Sequence, residues 1–207
     1  MMQKGAAGLL KREKKPAADI LIPSLYFQKT GEDNTEKTLR MAAKRAEELG
    51  VKNIIIATTS GKTGALAAGV FKGKNVIIVT HSTGFVGPDQ QELKPAYRKK
   101  IEALGAKILT CQHAFGGVGR AVRKKLGTYE LEEIIAYTLR IFGQGTKVAI
   151  EIALMAADAG QVPVSEPCLS IGGTGEGADT ALLLVPSNAQ TFFDLRVMEI
   201  LAKPRLG

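Results

Sequence analysis

The sequence has no tryptophan, two cysteines and two histidines among its 207 residues, and only 5% of it is aromatic. Each scarcity closes off a class of function. Cys111 and Cys168 stand apart in apolar surroundings, unlike the dense cysteine pattern of a secreted disulfide framework, so both are expected as reduced, packed thiols. His81 and His113 are the only histidines, and Cys111-Gln112-His113 supplies one sulfur and one nitrogen, so no zinc site and no metal is expected. No apolar run approaches the ~18–20 residues that span a bilayer, and the start lacks the continuous apolar core of a secretory signal. A cytoplasmic protein without a membrane partner is the expectation. No serine–histidine–acid or cysteine–histidine arrangement is supported by spacing.

What is present is ordinary for a globular chain: 45% hydrophobic and 23% charged residues. That composition excludes disorder of the low-hydrophobicity kind over most of the length, and the length fits one domain of ~100–200 residues. The formal net charge is +8, but residues 1–15 hold five basic residues (Lys4, Lys11, Arg12, Lys14, Lys15) against Glu13, so half of the excess sits in that stretch. The remainder suits an anionic ligand and falls short of the basic face that nucleic acid requires, so no nucleic-acid partner is expected. Residues 1–24 read as a basic N-terminal extension and residues 25–207 as the domain. The stretch Asp19 to Phe27 is expected to add a strand, which Pro23 confines to an edge.

From Asp33 the period turns helical, with Leu39, Ala42, Ala43, Ala46 and Leu49 on one stripe and Gly50 as the stop. Asn53 to Ala57 is a β-branched run of the kind buried on both faces of a parallel sheet. The cycle repeats with a strand Asn75 to Thr80, a helix Gln90 to Leu104 and a strand Lys107 to Thr110, which argues for crossover units. Two helices, Glu130 to Phe142 and Lys147 to Ala159, are predicted next. They are joined through Gly143-Gln144-Gly145, and the second is the more apolar. Strands Leu169 to Ile171, Asp179 to Val185 and Asp194 to Ala202 complete a mixed sheet.

Two loops carry chemistry. Ser60-Gly61-Lys62-Thr63 resembles part of a P-loop, but Ile56 occupies the position of that motif's first glycine, so this is not an ATPase loop. The cluster Thr58, Thr59, Ser60, Gly61, Lys62 and Thr63 still offers hydroxyls, a glycine that lets the backbone approach a ligand, and a following helix whose free N–H groups attract an anion. The competing reading is a plain helix cap made by Ser60 or Thr59. Gly173, Thr174, Gly175 and Gly177 form the second loop, whose one-residue glycine spacing and following strand exclude a dinucleotide fingerprint. With Thr180 nearby it closes over a phosphate or is a simple turn. Polar residues end the parallel strands, with Thr80 and His81 after one and His113 after another. Each histidine either lines the ligand crevice or lies on the surface. Glu151 and Asp158 are seven residues apart on the apolar helix and therefore share a face, either as structural carboxylates or as ligand or acid–base groups.

These motifs resemble a known family. Thr58 to Thr63 resembles the effector-phosphate loop of the pyruvate kinase C-terminal domain, and Gly173 to Thr180 resembles its second phosphate loop, in the same order. More closely, Tyr26-Phe27, Gly31 to Leu39, Thr80-His81, Glu151 to Gly160 and Gly172 to Thr180 are similar to the stand-alone pyruvate kinase alpha/beta domain proteins of archaea and bacteria. The resemblance runs from about Tyr26 to Arg205. It implies an α/β three-layer α/β/α sandwich, its sheet mostly parallel with an antiparallel edge strand, and a homo-oligomer. It also implies a pocket for a phosphorylated small molecule, with flavin mononucleotide (FMN) the first candidate. The kinase's catalytic lysine and metal carboxylates belong to a barrel absent from this sequence, so pyruvate kinase activity is not expected. Lys62 is expected to clamp phosphate rather than catalyse. The alternatives are a flavin-dependent oxidoreductase or phosphoester-processing enzyme using His81, His113 or Asp158, and a structural or partner-binding protein.

Overall fold

The computed structural model describes residues 19–205, so residues 1–18 of the basic extension lie outside the described residues. Seven strands form one sheet in the order β1-β7-β6-β5-β2-β3-β4. The central strand β2 (Asn53–Ala57) is Asn-Ile-Ile-Ile-Ala, and its branched side chains are buried on both sides: Ile54 and Ile56 on one face, Ile55 on the other. It pairs in parallel with β3 (Asn75–Thr80) and β5 (Cys168–Gly172), and β3 pairs in parallel with β4 (Lys107–Thr110).

The reversal expected at the edge falls at β6 (Thr180–Val185), two strands in from β1 (Leu25–Phe27). A short glycine loop joins β5 to β6, and so short a connection can return the chain only antiparallel. β7 (Arg196–Pro204) turns back again, and β1 runs parallel to it at the edge, as Pro23 leads one to expect.

Helices cover both faces. On one, α1 (Thr35–Leu49), α2 (Lys62–Val70) and α3 (Pro95–Ala103) bury Leu39, Ala67, Phe71 and Ile101 against Ile54, Ile56, Ile78 and Leu183. On the other, α6 (Gln144–Asp158) buries Ala149, Ile152, Ala153 and Leu154 against Ile55, Ile77 and Leu182. Outside α6 lies α5 (Leu131–Arg140), preceded by α4 (Val118–Leu126), a helix with no buried residue whose short stripe of Val118, Ala121 and Val122 is interrupted by Gly119. The result is a three-layer sandwich.

Two helix starts differ from the periodicity. α3 begins at Pro95 rather than near Gln90, because the residue before a proline is forced out of the helical region and Lys94 is extended (ψ 136°). α6 begins at Gln144, with Gly145 inside it instead of in the linker.

Candidate functional site

Because every strand except β6 points the same way, the loops that leave the carboxyl ends of β2, β3, β4 and β5 meet at one edge of the sheet. They enclose a cavity of about 490 Å³. It is lined by Thr58, Thr59, Ser60, Lys62 and Thr63 from the first loop, Gly173, Gly175 and Gly177 from the second, Thr80, His81 and His113 from the strand ends, and the first turns of α6.

The hydroxyl that organises the first loop is that of Thr58. It is buried, and its Oγ1 accepts from the N–H groups of Gly61 (3.2 Å) and Gly64 (3.3 Å). The Ser60 oxygen is 3.5 Å from the Lys62 N–H, so the capping expected of Ser60 or Thr59 belongs chiefly to Thr58, whose position at the strand end lets it reach inward. Gly61 does not line the cavity. Its φ is +96°, and a Cβ there would come within 2.6 Å of Leu93 Cδ1 and Tyr97 Cβ, so glycine is required for packing on α3 and not for approach to a ligand.

The second loop is pinned from below. Buried Asp179 accepts from the Gly31 N–H (3.0 Å) and from the Thr180 hydroxyl (2.8 Å), and the Ala178 N–H donates to Thr35 Oγ1 (3.0 Å). Thr180 is consumed by that clasp. Neither it nor Thr174 lines the cavity, in contrast to the sequence expectation. The clasp brings Glu32 to the mouth, where its carboxylate pairs with the Lys62 ammonium and raises the Lys62 pKa.

The opposite wall is aromatic and ionic. His81, Phe85 and His113 cluster with ring centroids 4.1–5.4 Å apart, and the Arg120 guanidinium lies 4.8 Å from the Phe85 ring centre. His81 Nδ1 is 2.6 Å from Glu92 Oε2. His113 Nε2 accepts from the Ser82 N–H at 3.4 Å, and burial, opposed by Glu151, lowers its pKa to about 4. Beneath them the buried Lys147 and Glu151 form an ion pair, and Glu151 also accepts from the Phe115 N–H (3.0 Å). The lining holds four cations (Lys62, Arg120, Arg140, Lys147) against three carboxylates (Glu32, Glu151, Glu176), and among the described residues the two arginines have no carboxylate partner.

Asp158 is not part of the site. It lies two helical turns, about 10 Å, along α6 from Glu151. There it accepts from Asn188 Nδ2 (3.0 Å) and the Ala189 N–H (3.1 Å), capping the short 3-10 helix Ala189–Asp194. Sharing a face did not mean sharing a site. Conversely, Glu32, Arg120, Arg140, Gln144 and Lys147 line the cavity without having been singled out by the sequence. The one available signal was Lys147 four residues before Glu151 on a helix otherwise almost wholly apolar.

The depressed His113 pKa fixes a pH dependence. Above the ordinary value near 6.5 the imidazole is neutral folded or unfolded. As pH falls from 6.5 toward about 4, only the unfolded chain takes the proton, and stability is lost across that window. The loss should reach about 2–3 kcal/mol. Urea denaturation of the wild type and of His113→Gln at pH 7 and pH 4.5 checks it: the variant should lose distinctly less on acidification.

Residues 36–185 match the family described as pyruvate kinase, alpha/beta domain. Among solved structures the chain is similar to Cryptosporidium parvum pyruvate kinase in complex with ADP, at 16% identity and a TM-score of 0.35, over 72% of this chain and 22% of that one. It is also similar to NH3-dependent NAD synthetase from Campylobacter jejuni, at 18% identity and a TM-score of 0.27, over 53% of this chain and 47% of that one. The chain thus spans about a fifth of the pyruvate kinase it matches. The family match runs from α1 to β6 and includes both loops of the cavity, and on it the chain belongs to the pyruvate kinase alpha/beta domain family.

Proposed function

We propose that the chain binds a phosphorylated small molecule at the carboxyl edge of its sheet, with FMN the first candidate. One observation carries this: the hydroxyl-rich loop before α2 and the glycine loop before β6 border the same cavity. The first brings the N-terminus of a nine-residue helix, with its dipole and Lys62, to the cavity, where an anion would be attracted. The cavity falls within the ~300–1,000 Å³ range of small-molecule sites. FMN fits the residues present: Thr59, Ser60, Lys62 and Thr63 would hold its phosphate, and the His81, Phe85 and His113 rings offer aromatic surface for its planar ring system. A bound flavin would supply redox chemistry.

A thermal-shift screen of FMN, sugar phosphates and nucleotides tests the reading. A ligand at 100 times its Kd should stabilise the fold by about 2.7 kcal/mol. Absence of any shift at hundreds of micromolar would remove the proposal. Lys62→Met should weaken the ligand that emerges about tenfold to hundredfold, the loss expected for a charge-assisted hydrogen bond, with the melting temperature of the free protein nearly unchanged. Calorimetric titration reads the difference.

The second reading, an enzyme acting on the bound group, is favoured by the Glu92 carboxylate on His81 Nδ1. That contact selects the tautomer that leaves Nε2 as a base. Protein that is yellow, bleaches with a reductant and turns over a substrate would support it, and His81→Gln should then abolish turnover while weakening affinity far less.

A further inference from the structure

The outer side of α5 is apolar. Glu133 and Ala136 are buried, whereas Leu131, Ile134, Tyr137, Ile141 and Phe142 each expose between 52% and 71% of their surface, with Thr138 the one polar residue among them. Tyr129 continues this face: it is half exposed, and its ring meets that of Tyr137 edge-on at 5.7 Å. From these exposures the six apolar side chains leave roughly 700 Å² in contact with water, more than the ~300–600 Å² of the largest patch on a typical monomer and close to the ~800 Å² that each partner buries in a stable complex.

The pattern identifies what covers it. Leu131, Ile134, Thr138 and Ile141 follow one another at steps of three, four and three, which is the seam by which one helix packs on another. The charges of α5 flank this seam: Glu133 binds Arg123 (2.8 Å), and Arg140 donates to Gln144 (2.7 Å) while its guanidinium lies 4.9 Å from the Tyr137 ring centre. The helix is acidic at its start, at Glu132 and Glu133, and basic at its end, at Arg140. The three-four-three spacing reads the same in both directions along the helix, so a second α5 running antiparallel meets its own seam, dipole against dipole.

We propose that two copies of this chain pair through α5 about a twofold axis, with Leu131 against the partner's Ile141 and Ile134 against the partner's Thr138. The contact is isologous and closes on itself, as a dimer requires. It lies on the outer side of the helix that carries Arg140 into the ligand cavity, so it needs no residue of the binding site.

Sedimentation velocity over a range of concentrations tests the pairing. The wild type should sediment at about twice the 22.0 kDa chain mass. Ile134→Glu and Ile141→Glu should each raise the dimer dissociation constant at least a hundredfold while leaving the circular dichroism spectrum and melting profile of a folded monomer, since both side chains are exposed in the single chain. An Ile134→Cys/Thr138→Cys variant should cross-link into a covalent dimer on oxidation. A wild type that stays monomeric at its highest soluble concentration overturns the proposal. So does a dimer that survives both glutamate variants, which would place the interface elsewhere, and so does a monomer that sediments with phosphatidylserine vesicles.

Discussion

Replacing Glu151 with leucine is expected to lower the free energy of unfolding by about 3–5 kcal/mol, the cost of stripping the partner from a buried charge. Lys147 and Glu151 are each no more than 4% exposed, so the remaining ammonium would be poorly hydrated, and the Phe115 N–H would lose its acceptor as well. Burial already pulls the Lys147 pKa down against the opposing effect of Glu151, and removing the carboxylate removes that opposition. The informative variant is the double one. Lys147→Met/Glu151→Leu removes both charges and should recover most of the loss, because a well-packed apolar pair often equals a buried ion pair. Urea denaturation of the two single variants and the double closes the cycle. A double variant as unstable as the sum of the singles would show that the two residues act separately.

The second large effect is expected at Gly177. Its φ is +77°, and a Cβ there would lie 2.5 Å from the Glu32 Cα and 2.5 Å from Thr35 Oγ1. Gly177→Ala therefore adds left-handed strain to overpacking against backbone, and the sum should cost about 2–4 kcal/mol. The damage should also reach the cavity, since the displaced segment carries Glu32, the partner of Lys62. Guanidinium denaturation gives the stability. Binding of whichever phosphorylated ligand emerges from the thermal-shift screen should fall in parallel, and unchanged stability together with unchanged affinity would mean that the second loop is free to move aside.

The parts of the fold written in local pattern were legible. The Ile54-Ile55-Ile56 run announced the central strand and the stripe from Leu39 to Leu49 announced α1, because burial on two faces and on one stripe leave periods of their own. The strand expected over Asp179 to Val185 is present as β6. α4 was missed because its one short stripe, Val118, Ala121 and Val122, starts among Gly116, Gly117 and Gly119, and the start of α3 yielded to a proline rule that the amphipathic period masks. The cavity was half legible. Its loops stand out by composition, whereas Arg120, Arg140 and Lys147 reach it only because α4, α5 and α6 pack where they do, and that information is tertiary. Asp158 illustrates the opposite error, in which helical spacing gave the face correctly but said nothing of depth along the axis.

The strand order also bears on how the chain reaches this structure. β2 pairs on one side with β3, its near neighbour in sequence, but on the other side its register joins Ile54 to Leu169, and the outermost pair joins Leu25 to Ala202. Closing such distant contacts carries a large loop entropy before any burial repays it, which places folding on the slow, millisecond-to-second side of the range for single domains. During synthesis β2, β3 and β4 are complete while the inner edge of β2, made of Ile54, Ile55 and Ile56, still lacks its partner. That edge stays open until β5 emerges, which makes the half-made sheet the species most exposed to aggregation.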